Sequence, residues 1–187
     1  MSDVEYSRQY NTIHQLIAGH AKISPNGAAI CAPGHVPLTY RQLQLLIAQN
    51  LGAFNSLGIG RGDRVAIVLP NGPEMATAFL SVAAGATSAP LNPNYSASEF
   101  DFYLSDLNAK ALLIHKEMDS PSREIAQKLD IPIIDLTPQD NQAAGIFKLD
   151  IDPGNQQQPE YSTPEDEALV LHTSGTTSRP KIVPLSQ

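Results

Sequence analysis

Arg64-Val65-Ala66-Ile67-Val68-Leu69 is a near-continuous apolar run of strand length. A strand with one wet face alternates in polarity, whereas a run that is apolar at every position after its arginine needs cover on both faces, as in a parallel sheet between two helix layers. The flanks agree. Upstream, Thr39 and Gln42 have capping-box spacing, Leu43, Leu46, Ile47, Leu51 and Phe54 recur at helical intervals, and Gly58 is a stop, so Tyr40 to Leu57 is predicted helical. Downstream, Pro73 suits the first turn of a helix reaching about Ala84, with Met75, Phe79 and Ala83 inward. Thr87 to Pro90 then reads as a short strand. Ser96 and Glu99 form a second capping box ahead of a Phe100, Tyr103, Leu104, Leu107 stripe.

Further out, Ala111 to His115 is a strand, Ser122 to Leu129 a helix and Ile131 to Leu136 a strand. Toward the N-terminus lie a helix at Ile13 to Ile23, with Ile13, Leu16, Ile17 and Ala21 on one face, and a strand at Ala28 to Cys31. Strands alternating with helices predict an α/β fold, a largely parallel sheet flanked by helices. From 137 to 167 Gln, Asn, Pro and Asp dominate, and this stretch reads as a long irregular connection with one edge strand at Ile146 to Leu149. Roughly 25 residues follow its most linker-like part, too few for a second domain, so Ala168 to Leu171 adds a strand to the same sheet.

Composition bounds the function classes. A net charge of -7, from 12 Lys and Arg against 19 Asp and Glu, leaves no clustered basic surface for nucleic acid. One cysteine, Cys31, excludes an internal disulfide framework and reads as a small core residue ending its strand. His14, His20, His35, His115 and His172 are scattered without metal-ligand spacing, so no metal site is expected. The acidic start Met1-Ser2-Asp3-Val4-Glu5 lacks the apolar core of a signal peptide, and no run has the length of a membrane span; the expected location is cytoplasmic.

The chemistry concentrates in Thr173-Ser174-Gly175-Thr176-Thr177-Ser178-Arg179-Pro180-Lys181. Gly175 frees the backbone to turn successive N–H groups into one concavity, the five hydroxyls add neutral donors, and Lys181 adds a point charge suited to a terminal phosphate. A Walker A loop is excluded, since Pro180 stands at its second glycine and Ile182 at its Ser or Thr. A flexible Ser/Thr linker is the other reading of such composition, against which the strand feeding directly into the segment argues.

T-S-G-T-T-S-R-P-K-I resembles the phosphate loop of the adenylate-forming (AMP-binding) superfamily, [ST]-[SG]-G-[ST]-T-x-x-P-K-G, with Ile182 at the last glycine. Leu38 to Leu43, Gly58 to Ile67, Pro70 to Glu74 and Leu91 to Pro93 resemble, in order and spacing, the N-terminal region of acyl-CoA synthetases. His172 to Pro184, together with Asn92 to Tyr95 and Glu99 to Asp106, is most like oxalate–CoA ligases and 4-coumarate–CoA-ligase-like proteins. The resemblance implies ATP, Mg2+ and a carboxylic acid as reactants, and CoA or a carrier-protein phosphopantetheine as acceptor. It implies that Thr173, Ser174, Gly175, Thr176, Thr177, Ser178 and Lys181 hold phosphates, with Lys181 neutralising their charge. It also implies that residues 1–187 are the N-terminal part of an AMP-binding domain, with a C-terminal part missing and, in relatives, a helix beginning within 184–187. The other function class is a stand-alone remnant that binds a phosphate-bearing ligand or a protein partner without catalysis.

Overall fold

A computed structural model describes residues 10–152, 157–173 and 180–187. Its elements run α1 (Ile13–Ile23), β1 (Ala28–Ile30), β2 (Leu38–Thr39), α2 (Tyr40–Ser56), β3 (Arg64–Val68), α3 (Pro73–Ala83), β4 (Thr87–Pro90), α4 (Ala97–Leu107), β5 (Ala111–His115), α5 (Pro121–Lys128), β6 (Ile133–Pro138), β7 (Phe147–Leu149), β8 (Glu167–Thr173) and β9 (Lys181–Ser186). The main sheet has the order β7-β6-β5-β3-β4-β8-β9. Five strands from β6 to β8 are parallel, and β7 and β9 close its two edges antiparallel.

Strand β3 lies at the centre with Val65 to Val68 fully buried. Val65 and Ile67 face Leu46 and Phe54 of α2 and Ala78 and Val82 of α3. Ala66 and Val68 face Phe100, Leu104 and Leu107 of α4 and Ala126 of α5. The doubly apolar run thus builds two cores, one on each side of one sheet. A third cluster joins Ile17, Leu38, Leu43, Ile47 and Leu51, packing α1 and the small β1–β2 sheet against the outer side of α2.

Both capping boxes form. Thr39 accepts from the Gln42 N–H while Gln42 Oε1 accepts from the Thr39 N–H at 3.0 Å, and Ser96 and Glu99 repeat the exchange at 2.8 Å. The buried side of α3 differs from the expected one. Thr77, Ala78, Ser81, Val82 and Ala83 are buried, while Met75 and Phe79 are partly covered. Two hydroxyls are tolerated inside because each is bonded: Thr77 Oγ1 donates to the Gly145 carbonyl at 2.7 Å, and Ser81 Oγ accepts from Asn50 Nδ2 at 3.1 Å. Leu16 is exposed, leaving Ile17 and Ala21 as the buried face of α1. Cys31 is also exposed, correcting its expected core position, because β1 belongs to a peripheral two-stranded sheet and not to the main one.

The described residues of the connection between β7 and β8 form no helix or strand, yet those from 157 on are laid down as a strap. The connection must travel from one side of the sheet to the other, and it crosses over α2 and α3. Gln157 N–H donates to the Gly52 carbonyl at 3.3 Å, Glu160 N–H to Asn55 Oδ1 at 2.8 Å, and Ser162 N–H to the Ala84 carbonyl at 2.8 Å. Two glycines make the track. A Cβ at Gly52 would lie 2.5 Å from the Gln157 carbonyl oxygen, and one at Gly85 would lie 2.7 Å from that of Glu160.

Candidate functional site

Because the central strands are parallel, the carboxyl ends of β3, β4, β5 and β8 share one edge of the sheet, where open α/β folds present loops to ligands. Thr173 is the last residue of β8 and Lys181 the first of β9, and the two are cross-strand partners. Opposed residues of an antiparallel ladder project to the same face, so the hydroxyl and the ammonium stem from neighbouring points at the mouth of 174–180. Both residues are exposed. Lys181 makes no ion pair with any of the described residues. Ser174, Gly175, Thr176, Thr177 and Ser178 lie outside the described residues.

Strand β9 corrects the sequence reading in two respects. Lys181 begins a strand, and Pro184 sits within it, where a helix start was implied. Proline has no ladder N–H to give, and β9 accommodates it because it is an edge strand. Ile182, at the family's glycine position, pairs with His172 and packs against the core around Val170 and the α4–α5 layer, on the face opposite Lys181.

His172 was legible only as the start of the family-like stretch, and its side-chain contacts were not. It precedes Thr173, and its side chain is only 6% exposed. Its imidazole Nε2 lies 3.1 Å from Asp106 Oδ2 of α4. The ring meets Tyr103 edge to face at 4.6 Å, with Phe102 at 6.4 Å. Tyr103 in turn stacks on Tyr95 at 4.7 Å. Burial pushes the Tyr95 phenol up to about 12, with its hydrogen bond to Tyr103 adding to the rise. Asn92 is occupied locally, accepting from the Asn94 N–H at 3.0 Å and tightening the turn after β4. The only signal for the cluster was the aromatic content of Phe100 to Tyr103; its partner lies 66 residues beyond Asp106.

Strand β8 is fastened elsewhere by charge. Arg64 makes a fork with Glu167, its closest contact 3.1 Å, Thr87 Oγ1 donates to the Glu167 carbonyl at 3.0 Å, and Arg61 Nε lies 2.6 Å from Asp166 Oδ2. These ties hold the start of β8. The parallel ladder to β4 is registered at Ser88↔Leu169.

A cleft of about 1010 Å³ opens at the opposite end of the sheet, beside Arg64, Lys110 and Pro132 at the amino ends of β3, β5 and β6. Its walls include the Arg64–Glu167 pair, and it lies away from the Thr173–Lys181 edge. Among the described residues, no group of three His, Cys, Asp or Glu side chains could hold a metal ion, and no helix is long and apolar enough to cross a membrane.

Comparison with known proteins bears on the family. The family model for "AMP-binding enzyme" matches residues 18–187. The chain is 42% identical over 181 residues to an oxalate–CoA ligase of Arabidopsis thaliana, covering 95% of this chain and 35% of that protein. It is 38% identical to a probable CoA ligase, CCL9, of Humulus lupulus, covering 85% and 31%. It is 33% identical to 4-coumarate–CoA ligase 1 of Petroselinum crispum, covering 79% and 27%. Among solved structures, the inhibitor-bound N-terminal domain of FACL13 from Mycobacterium tuberculosis superposes with a TM-score of 0.69 at 25% identity, covering 94% of this chain and 44% of that one. Apo MatB from Rhodopseudomonas palustris gives 0.73 at 22% identity, covering 94% and 34%, a likeness of fold. The chain spans about a third of the length of the oxalate–CoA ligase and of the probable CoA ligase. With the family model covering all but its first residues, and with the sheet that solved members share, the chain belongs to the AMP-binding enzyme family.

Proposed function

We propose that the chain is the N-terminal, phosphate-binding portion of an ATP-dependent acid–thiol ligase. In that reaction a carboxylate oxygen attacks the α-phosphorus of ATP, the bond to the β-phosphate oxygen breaks, and pyrophosphate leaves. The thiol sulfur of CoA or of a carrier-protein phosphopantetheine then attacks the acyl carbon, and AMP leaves. Such chemistry asks the protein mainly for positioning and charge neutralisation. The observation that carries the reading is the Thr173–Lys181 pair at the carboxyl edge of a parallel sheet, in a chain whose residues 18–187 match the AMP-binding family.

In this reading Thr173 contributes a hydroxyl and Lys181 an ammonium to the β- and γ-phosphates, and the segment Ser174 to Ser178 adds hydroxyl and N–H donors. Mg2+ is implied as the companion of ATP, whose phosphates would bind it, and no step is assigned to it. Oxalate is the first acid to try, since the 42% identical relative is an oxalate–CoA ligase.

The protein carrying these residues at the length of its relatives should catalyse ATP–pyrophosphate exchange that depends on an added acid. The chain of 187 residues alone should bind ATP no better than roughly millimolar, because a few phosphate contacts in open water are screened. Binding of pyrophosphate without acid-dependent exchange in the longer protein would establish the non-catalytic reading instead.

A further inference from the structure

We infer that His172 is a positioning residue for the phosphate loop, held by Asp106 and Tyr103 so that the last turn of backbone before Thr173 has one direction. The inference rests on the function proposed above. It starts from an asymmetry in how β8 is held. Its first residue is tied by Arg64 and Thr87, with Arg61 on the residue before it, all at the end remote from the loop. The sheet ladder to β4 is registered at Leu169, four residues short of Thr173. Beyond it Val170 is still buried, Leu171 is 42% exposed and contributes little packing, and the backbone ladder that reaches Thr173 is the one to the edge strand β9.

What ties this end of the β8–β9 pair to the α4 layer by a polar side-chain contact is His172. Its ring is enclosed, and α4 supplies both contacts: a carboxylate at 3.1 Å, which orients the imidazole, and an aromatic face at 4.6 Å, which excludes water. Ile182, its cross-strand partner, is packed on the same face, so the clamp also seats the first residues of β9. Thr173 and Lys181 project to the other face. The geometry therefore separates a side that is gripped from a side that is offered to an anion. Losing the grip lets both strands swing, and a displacement of even an ångström at a phosphate site is costly.

Pyrophosphate titrated into the chain, followed by NMR at the Thr173 and Lys181 amides, tests this. His172→Ala and Asp106→Ala should each weaken binding about 10-fold, the scale of a lost charge-assisted hydrogen bond. The double variant should be no worse than His172→Ala alone, since that variant already removes the contact with Asp106. His172→Gln, whose amide can reach Asp106, should restore most of the affinity. Arg64→Ala, which loosens the far end of β8, should lower thermal stability and leave pyrophosphate affinity within about 2-fold. Asp106 is at the surface, so its variant carries the test if His172→Ala does not fold. Unchanged affinity in Asp106→Ala, or an equal loss in Arg64→Ala, would overturn the inference while the ligase reading stands. Absence of any pyrophosphate response in the unsubstituted chain would instead overturn the phosphate reading itself.

Discussion

Lys181 opens an edge strand, opposite a threonine and without an ion-pair partner among the described residues, and under the proposed function its ammonium meets a phosphate. In the protein at its relatives' length, Lys181→Ala should lower acid-dependent ATP–pyrophosphate exchange about 10-fold or more, corresponding to ~1.5–3 kcal/mol, with the KM for the acid little changed. An unchanged exchange rate would make Lys181 a solvated surface charge. Asp166 presents a different residue-scale consequence. Its hydrogen bond from Arg61, aided by those from Thr163, lowers its carboxyl from 3.8 to about 2. A carboxyl depressed on folding contributes stability that is fully present above its unfolded value and lost as pH falls through the folded one. Asp166→Asn should therefore be less stable than the parent at neutral pH, and the gap should close between about pH 4 and pH 2. Parallel urea titrations across that range measure it, and the gap should shrink with salt because Arg61 is 42% exposed.

At the scale of elements, the strap makes two glycines into structural requirements. Alanine in a helix interior ordinarily improves on glycine by roughly 0.5–1 kcal/mol. Within α2 the added methyl at Gly52 would meet the Gln157 carbonyl at 2.5 Å. Gly52→Ala should thus lower the melting temperature and speed proteolytic cleavage around 157–162; a raised melting temperature would show that the strap yields freely. The sequence revealed elements where the cause is local. Strand β3 announced both covering layers through Val65 to Val68, and the Thr39–Gln42 and Ser96–Glu99 spacings located α2 and α4 to within a residue. Strand β9 was hidden because Pro184 argues against a strand unless its edge position is known. The course of the strap depends on Gly52 and Gly85, which are silent until α2 and the end of α3 are side by side. Of the site, Thr173 and Lys181 were legible from residue chemistry. The clamp at His172 was not, since Asp106 reaches it only after β8 has been placed beside β4.

At the scale of the molecule, the two ends of the described chain are joined: Gln187 Oε1 accepts from the Ile13 N–H at 3.1 Å, and its Nε2 donates to the Ala83 carbonyl at 2.7 Å. The position of β8 has a kinetic counterpart. Val65 of β3 pairs with Ser88 of the very next strand, but Ser88 pairs on its other side with Leu169, after α4, β5, α5, β6, β7 and the strap have intervened. Closing so long a loop costs more entropy than joining neighbours, and distant pairings form late. During refolding, pulse-labelled hydrogen exchange should find amides of β3 and β5 protected before those of Leu169 and Val170; simultaneous protection would refute the order. In that order the strand that carries Thr173 is the last piece of the parallel sheet to arrive, so under the proposed function a half-folded molecule has a core and no place to hold a nucleotide.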